Sequence, residues 1–126
     1  MDRVILLYNF SGKRLQNVRK ALSPLNCVIK PVPEKDFSLP IGVLLGMDNF
    51  TNSEAQPSSG RFTSEMLVMY GFGGEMIDVL IAALRVGGVG KIELKAIVTE
   101  HNIKWSSLKL YNEIKAEHDM MQKNQV

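Results

Sequence analysis

A single cysteine, Cys27, leaves this chain unable to close an intramolecular disulfide, and one unpaired thiol fits a reducing compartment better than an oxidising one. One thiol cannot assemble a thiolate metal site either, and the two histidines, His101 and His118, have no partner at metal-ligand spacing. The sequence therefore predicts no metal and no cofactor. An excess of one charge is also missing. With 15 Lys and Arg against 13 Asp and Glu the net charge is +2, so there is no global field of the kind that draws proteins to nucleic acids or membrane surfaces. Nothing approaches the ~20 consecutive apolar residues that span a bilayer. The opening MDRVILLYNF has an acid beside its first base, a short apolar run and no cleavage site, which separates it from a signal peptide. These absences predict a cytoplasmic protein with neither a membrane nor a nucleic-acid partner.

What is present is ordinary for a globular domain. Apolar residues make up 45% of the 126 positions and charged residues 22%, which suits one domain over 1–126 with one core. Val4 to Tyr8 is apolar without alternation, the pattern of a strand buried on both faces. Ser11 stands as an N-cap before Leu15, Val18, Ala21 and Leu22, which recur at helical spacing until Pro24. Cys27 to Val32 reads as a second strand whose prolines favour an edge. A short helix through Ile41, Leu44 and Leu45 follows, with Ser38 as its cap and Gly46 as its end. A polar linker over 47–64 has only Phe50 and Phe62 as aromatic anchors. MLVMY is the third strand, Glu75 to about Val86 the third helix, and KIELKAIV a fourth strand whose alternation marks it as an edge. A last helix runs from about Trp105 toward Met121, with Leu108, Tyr111, Ile114 and Ala116 inward.

LLYNFSG at 6–12 lies over VMYGFGG at 68–74. Tyr70 is 62 positions after Tyr8, and the same offset pairs Ile5 with Leu67, Phe10 with Phe72, Gly12 with Gly74, Leu22 with Leu84. The chain thus reads as two tandem βαβα repeats, 1–46 and 65–122. If the apolar strands are central, the sheet order is two, one, three, four. With all four strands mostly parallel, right-handed crossovers running opposite ways place helices one and three on opposite faces. The expected fold is an α/β, doubly wound three-layer sandwich with a switch-point crevice between strands one and three.

In that crevice Asn9, Ser11, Gly12, Gly73 and Gly74 would present backbone and side-chain groups to a small anionic ligand, with Thr99, His101 and Asn102 alongside. A bland reading competes at every point. GFGGEM matches neither a dinucleotide fingerprint nor a P-loop, and Glu75 and Asp78 repel anions at that helix start. TEHNIKW serves equally as a helix-capping loop. No catalytic constellation emerges, and the basic face of helix one reads as solvated. Helix three is apolar all round, so its outward residues call for cover. Met76, Ile81 and Ala82 are the residues expected at a homodimer contact.

The stretches LYNFSGKRLQNVRKAL, PIGVLLG, EMLVMYGF, IELKAIVTEHNIKW and LYNEIKAEH resemble an uncharacterised family, a domain of unknown function found mostly in anaerobic Gram-positive bacteria. The resemblance covers most of the chain outside the linker and implies a bacterial cytoplasmic origin. With no activity assigned to that family, it carries no functional residue over. The sequence supports a non-enzymatic binding or protein-interaction domain; the alternative is a small enzyme or sensor for an anionic metabolite or nucleotide.

Overall fold

The computed structural model describes residues 3–47 and 61–124. Positions 48–60, with Phe50 and most of the expected linker, lie outside them. In chain order the elements are β1 (Arg3–Tyr8), α1 (Gly12–Leu22), β2 (Cys27–Val32), α2 (Ile41–Leu44), β3 (Met66–Tyr70), α3 (Gly74–Val86), β4 (Leu94–Ile97) and α4 (Ser107–Asn124). Short 3-10 turns cover Ser23–Leu25, Glu34–Asp36 and Asn102–Lys104. The chain forms two compact units, Met1–Pro31 with Glu65–Ile97 and Val32–Ser64 with Val98–Val126.

The first unit is built on a four-stranded sheet of order β2-β1-β3-β4, the order the apolar pattern predicts. Its directions are mixed. β3 and β4 are parallel, Met66 facing Leu94 and Met69 facing Ile97. β1 and β3 are antiparallel, with Tyr8 opposite Met66, Leu6 opposite Val68 and Val4 opposite Tyr70. On one face of this central pair, Ile5, Leu7, Leu67 and Met69 form a buried cluster with Val18 and Leu22 of α1 and Leu80 and Leu84 of α3. Each such leucine is worth about 1.5–3 kcal/mol relative to exposure.

Both long helices therefore cover the same face, where opposite faces were expected. The expectation assumed that β1 and β3 run the same way. Reversing β3 turns the handedness argument over once, and stepping outward in the other direction turns it over again, so both crossovers return to one side.

Two backbone details hold this unit together. Asn9 (φ 66°) and Gly71 (φ 84°) take left-handed conformations straight after β1 and β3, where glycine and asparagine are the residues that tolerate it. Each turn then drives a phenylalanine, Phe10 or Phe72, into the shared cluster. Where α3 ends, a Cβ on Gly87 would lie 2.5 Å from the Cβ of Ala21. Only glycine lets α1 and α3 approach this closely. Arg14 spans three segments: Nε and Nη2 donate to the two carboxylate oxygens of Glu65 at 2.9 and 3.0 Å, and Nη1 donates to the Val89 carbonyl at 2.8 Å. Its guanidinium also lies 5.8 Å from the centre of the Phe10 ring.

The second unit is organised by an aromatic stack. Phe62 lies between Phe37, at 4.7 Å, and Tyr111, at 4.1 Å and almost coplanar in tilt. Phe62 is buried, the anchoring role expected of it. α2 starts from Pro40, with no side-chain cap from Ser38, and Ile41 N donates instead to Trp105 O at 2.9 Å. α4 starts two residues later than expected because Ser106 Oγ accepts the Lys109 N–H at 3.1 Å, the bond of an N-cap. Leu108 and Leu110 are its buried apolar residues among those described, and Ala116 is exposed.

Candidate functional site

The antiparallel pairing of β1 and β3 dissolves the expected crevice. The turn after β1, with Asn9, Ser11 and Gly12, sits where β3 begins, and the turn after β3, with Gly73 and Gly74, sits where β1 begins. The register separates them by four strand residues, on the order of 14 Å. Asn9, Ser11, Gly12, Gly73 and Gly74 are all exposed. Ser11 and Gly73 are the N-caps of α1 and α3, and neither makes a side-chain cap bond. Thr99, His101 and Asn102 belong to the second unit. There Thr99 N donates to Asn102 Oδ1 at 2.8 Å and Asn102 N donates to Thr99 Oγ1 at 3.1 Å. These two side chains thus close their own turn and do not cap α4, whose cap bond comes from Ser106; His101 is exposed beside them. Cys27 is half-buried, and burial pushes its thiol above the ordinary range, the opposite of what a nucleophile needs.

The homodimer residues divide. Ala82 is exposed, as expected, but Met76 and Ile81 pack against the core cluster. Ile81 precedes Leu84 by three residues, so it lies beside Leu84 at the margin of the buried face. The outward apolar positions are instead Val79, Ala82 and Val86, with Val79 46% and Val86 88% exposed.

A site that sequence reasoning missed lies on the other flank of α3. Ile81, Leu84, Arg85, Gly90, Lys91, Ile92 and Lys95 line a pocket of about 330 Å³. Its floor is apolar, since Leu84 and Ile92 are buried core residues and Ile81 is half-buried against them. Its charge is of one sign. Arg85 comes from the last turn of α3, Lys91 from the loop before β4, and Lys95 from β4 itself. Lys95 is half-buried, and its ammonium donates to the Ile92 carbonyl. Burial, followed by repulsion from Lys91, holds its pKa below the ordinary lysine value, with Glu93 pulling the other way. Among the described residues no group of His, Cys, Asp and Glu is placed to hold a metal ion.

The family comparison falls on this half of the chain. Residues 65–121 match the model of a family described as a domain of unknown function (DUF3783). The matched segment contains every residue of the pocket and the whole of α3, and leaves out Asn9, Ser11 and Gly12. No curated protein and no solved structure matches the chain. Among the described residues no helix is long and apolar enough to cross a membrane.

Proposed function

We propose that this protein is a non-enzymatic binding domain for a small anion with an apolar body, seated between α3 and β4. The carrying observation is the pairing of an apolar floor with three cations, Arg85, Lys91 and Lys95. The volume falls at the small end of the ~300–1,000 Å³ typical of ligand sites. An anion here would relieve the repulsion between Lys91 and Lys95 while its apolar part displaces water from Ile81, Leu84 and Ile92. The same chemistry suits a carboxylate or a phosphate monoester. Isothermal titration with octanoate, phenyl phosphate and inorganic phosphate tests the reading. At least one of the two organic anions should bind more tightly than inorganic phosphate, and Lys95→Met should weaken it by about tenfold or more, the loss of one charge-assisted contact. Absence of heat from both organic anions, or unchanged affinity in Lys95→Met, would overturn it.

The halves of the first unit also read as a duplication. At the offset of 62, Ile5, Leu7, Val18 and Leu22 fall on Leu67, Met69, Leu80 and Leu84, all members of one core cluster. The left-handed Asn9 falls on the left-handed Gly71. Leu6 falls on Val68, its own partner across the β1–β3 register, so a pseudo-twofold axis through that pair would exchange the halves. The lone thiol and balanced charge support a cytoplasmic setting.

A further inference from the structure

We infer that the outer stripe of α3 is a docking surface for a second copy of this chain, the two α3 helices packing antiparallel across a twofold axis. Apart from Arg85, which also lines the pocket, the residues that carry this inference lie outside it. Val79, Ala82 and Val86 recur at three- and four-residue spacing, so they align on one side of the helix. That side is exposed, Val86 at 88% and Val79 at 46%. The fold does not require it to be apolar: at the offset of 62 the corresponding residues of α1 and its following turn are Asn17, Lys20 and Pro24, all exposed. Ala82, at the middle of the stripe, is small enough for two helix backbones to come close.

Charge selects the partner and its direction. Glu75 and Asp78 occupy the first half of α3 and Arg85 its last turn. A parallel copy would set acid against acid and base against base. An antiparallel copy brings Glu75 and Asp78 of each helix toward Arg85 of the other, and it also opposes the two helix dipoles. Asp78 and Arg85 are seven residues apart, hence on the same flank. A twofold axis perpendicular to the helices keeps that flank aligned in both copies, so the pairs form twice.

Sedimentation velocity over a concentration series, run on the whole chain, tests this. The wild type should show a reversible monomer–dimer equilibrium. Val86→Glu should raise the dimer dissociation constant by at least about tenfold, as expected for losing one buried valine and burying a charge. Circular dichroism and binding of phenyl phosphate or octanoate should stay unchanged, since Val86 is solvent-exposed and outside the pocket. Arg85→Glu should weaken the dimer, and Glu75→Lys/Asp78→Lys/Arg85→Glu should restore it by reversing the polarity of both partners together. A wild type monomeric at every concentration overturns the proposal. So does a dimer insensitive to Val86→Glu, and a triple variant no better than Arg85→Glu overturns the antiparallel arrangement. Loss of ligand binding in Lys95→Met with an intact dimer would leave the two readings separately decided.

Discussion

α1 buries Val18 and Leu22, and α3 buries Leu80 and Leu84, each pair one turn apart on the same sheet face. Away from that face the helices part company. Set against each other at the offset of 62, Val79 and Ala82 of α3 fall on Asn17 and Lys20 of α1, and the pocket cations Arg85, Lys91 and Lys95 fall on Ser23, Ile29 and Pro33. The shared positions are those the core demands, because a helix on a sheet needs only one inward stripe. The differing positions are free of that demand, so they are where function is expected to be written. All of them gather on α3 and its descent into β4.

The likeness of the two helices is greatest in the core, and the largest effects are expected there. Leu22→Ala and Leu84→Ala each empty a buried site in the same cluster, and each should lower unfolding stability by about 2–5 kcal/mol in urea titrations. The two losses should agree within about 1 kcal/mol; a much smaller loss at Leu84 would mean that the α3 half packs differently from the α1 half. A smaller effect is expected where the helices meet. Gly87→Ala puts a methyl group against the fixed Cβ of Ala21, and overpacking of this kind costs about 1–3 kcal/mol. A neutral or stabilising outcome would show that α1 and α3 slide apart freely.

The smallest effect sharpens the contrast on the pocket side. Burial disfavours the charged form of Lys95, helped by Lys91 and opposed by Glu93, while Arg85 shares the same rim. The folded protein therefore releases this proton at lower pH than the unfolded chain does. The penalty is fully present below the folded pKa and is relieved as pH rises from there toward the ordinary value of 10.5. Relative to Lys95→Met, the wild type should gain stability as pH rises toward 10.5, a difference the urea midpoints would show. Anion affinity should run the other way and fall over the same window. A wild type that loses stability relative to the variant there would contradict the assignment.

Much of this fold was legible because burial leaves a period in the sequence. The continuous apolar runs of β1 and β3 marked central strands, and Pro31 and the alternation near Ile92 and Leu94 marked edges, which set the strand order. Strand direction left no such mark. A strand buried on both faces reads the same in a parallel or an antiparallel pair, and the long excursion between β2 and β3 leaves room for either. That single ambiguity moved α1 and α3 to one face and separated the Asn9–Gly12 turn from Gly73 and Gly74. The pocket was illegible for another reason. Arg85, Lys91 and Lys95 come from a helix end, a loop and a strand, and no periodicity links three such cations. Thr99 and Asn102 show the converse: polar side chains that suggested chemistry are occupied by backbone amides of their own turn.

The bracket formed by Arg14 has a consequence in time. Its partners Glu65 and Val89 lie 51 and 75 residues further along the chain, and Val89 directly precedes the pocket residues Gly90 and Lys91. At synthesis rates of ~5–20 residues per second, Arg14 leaves the ribosome roughly 4–15 s before Val89 does. Local helices form within microseconds, so α1 has long been able to coil before the loop it will clamp exists. The wall of the pocket is thus among the last parts of the first unit to be put in place, and the residue just before it is held by an arginine outside the matched segment 65–121.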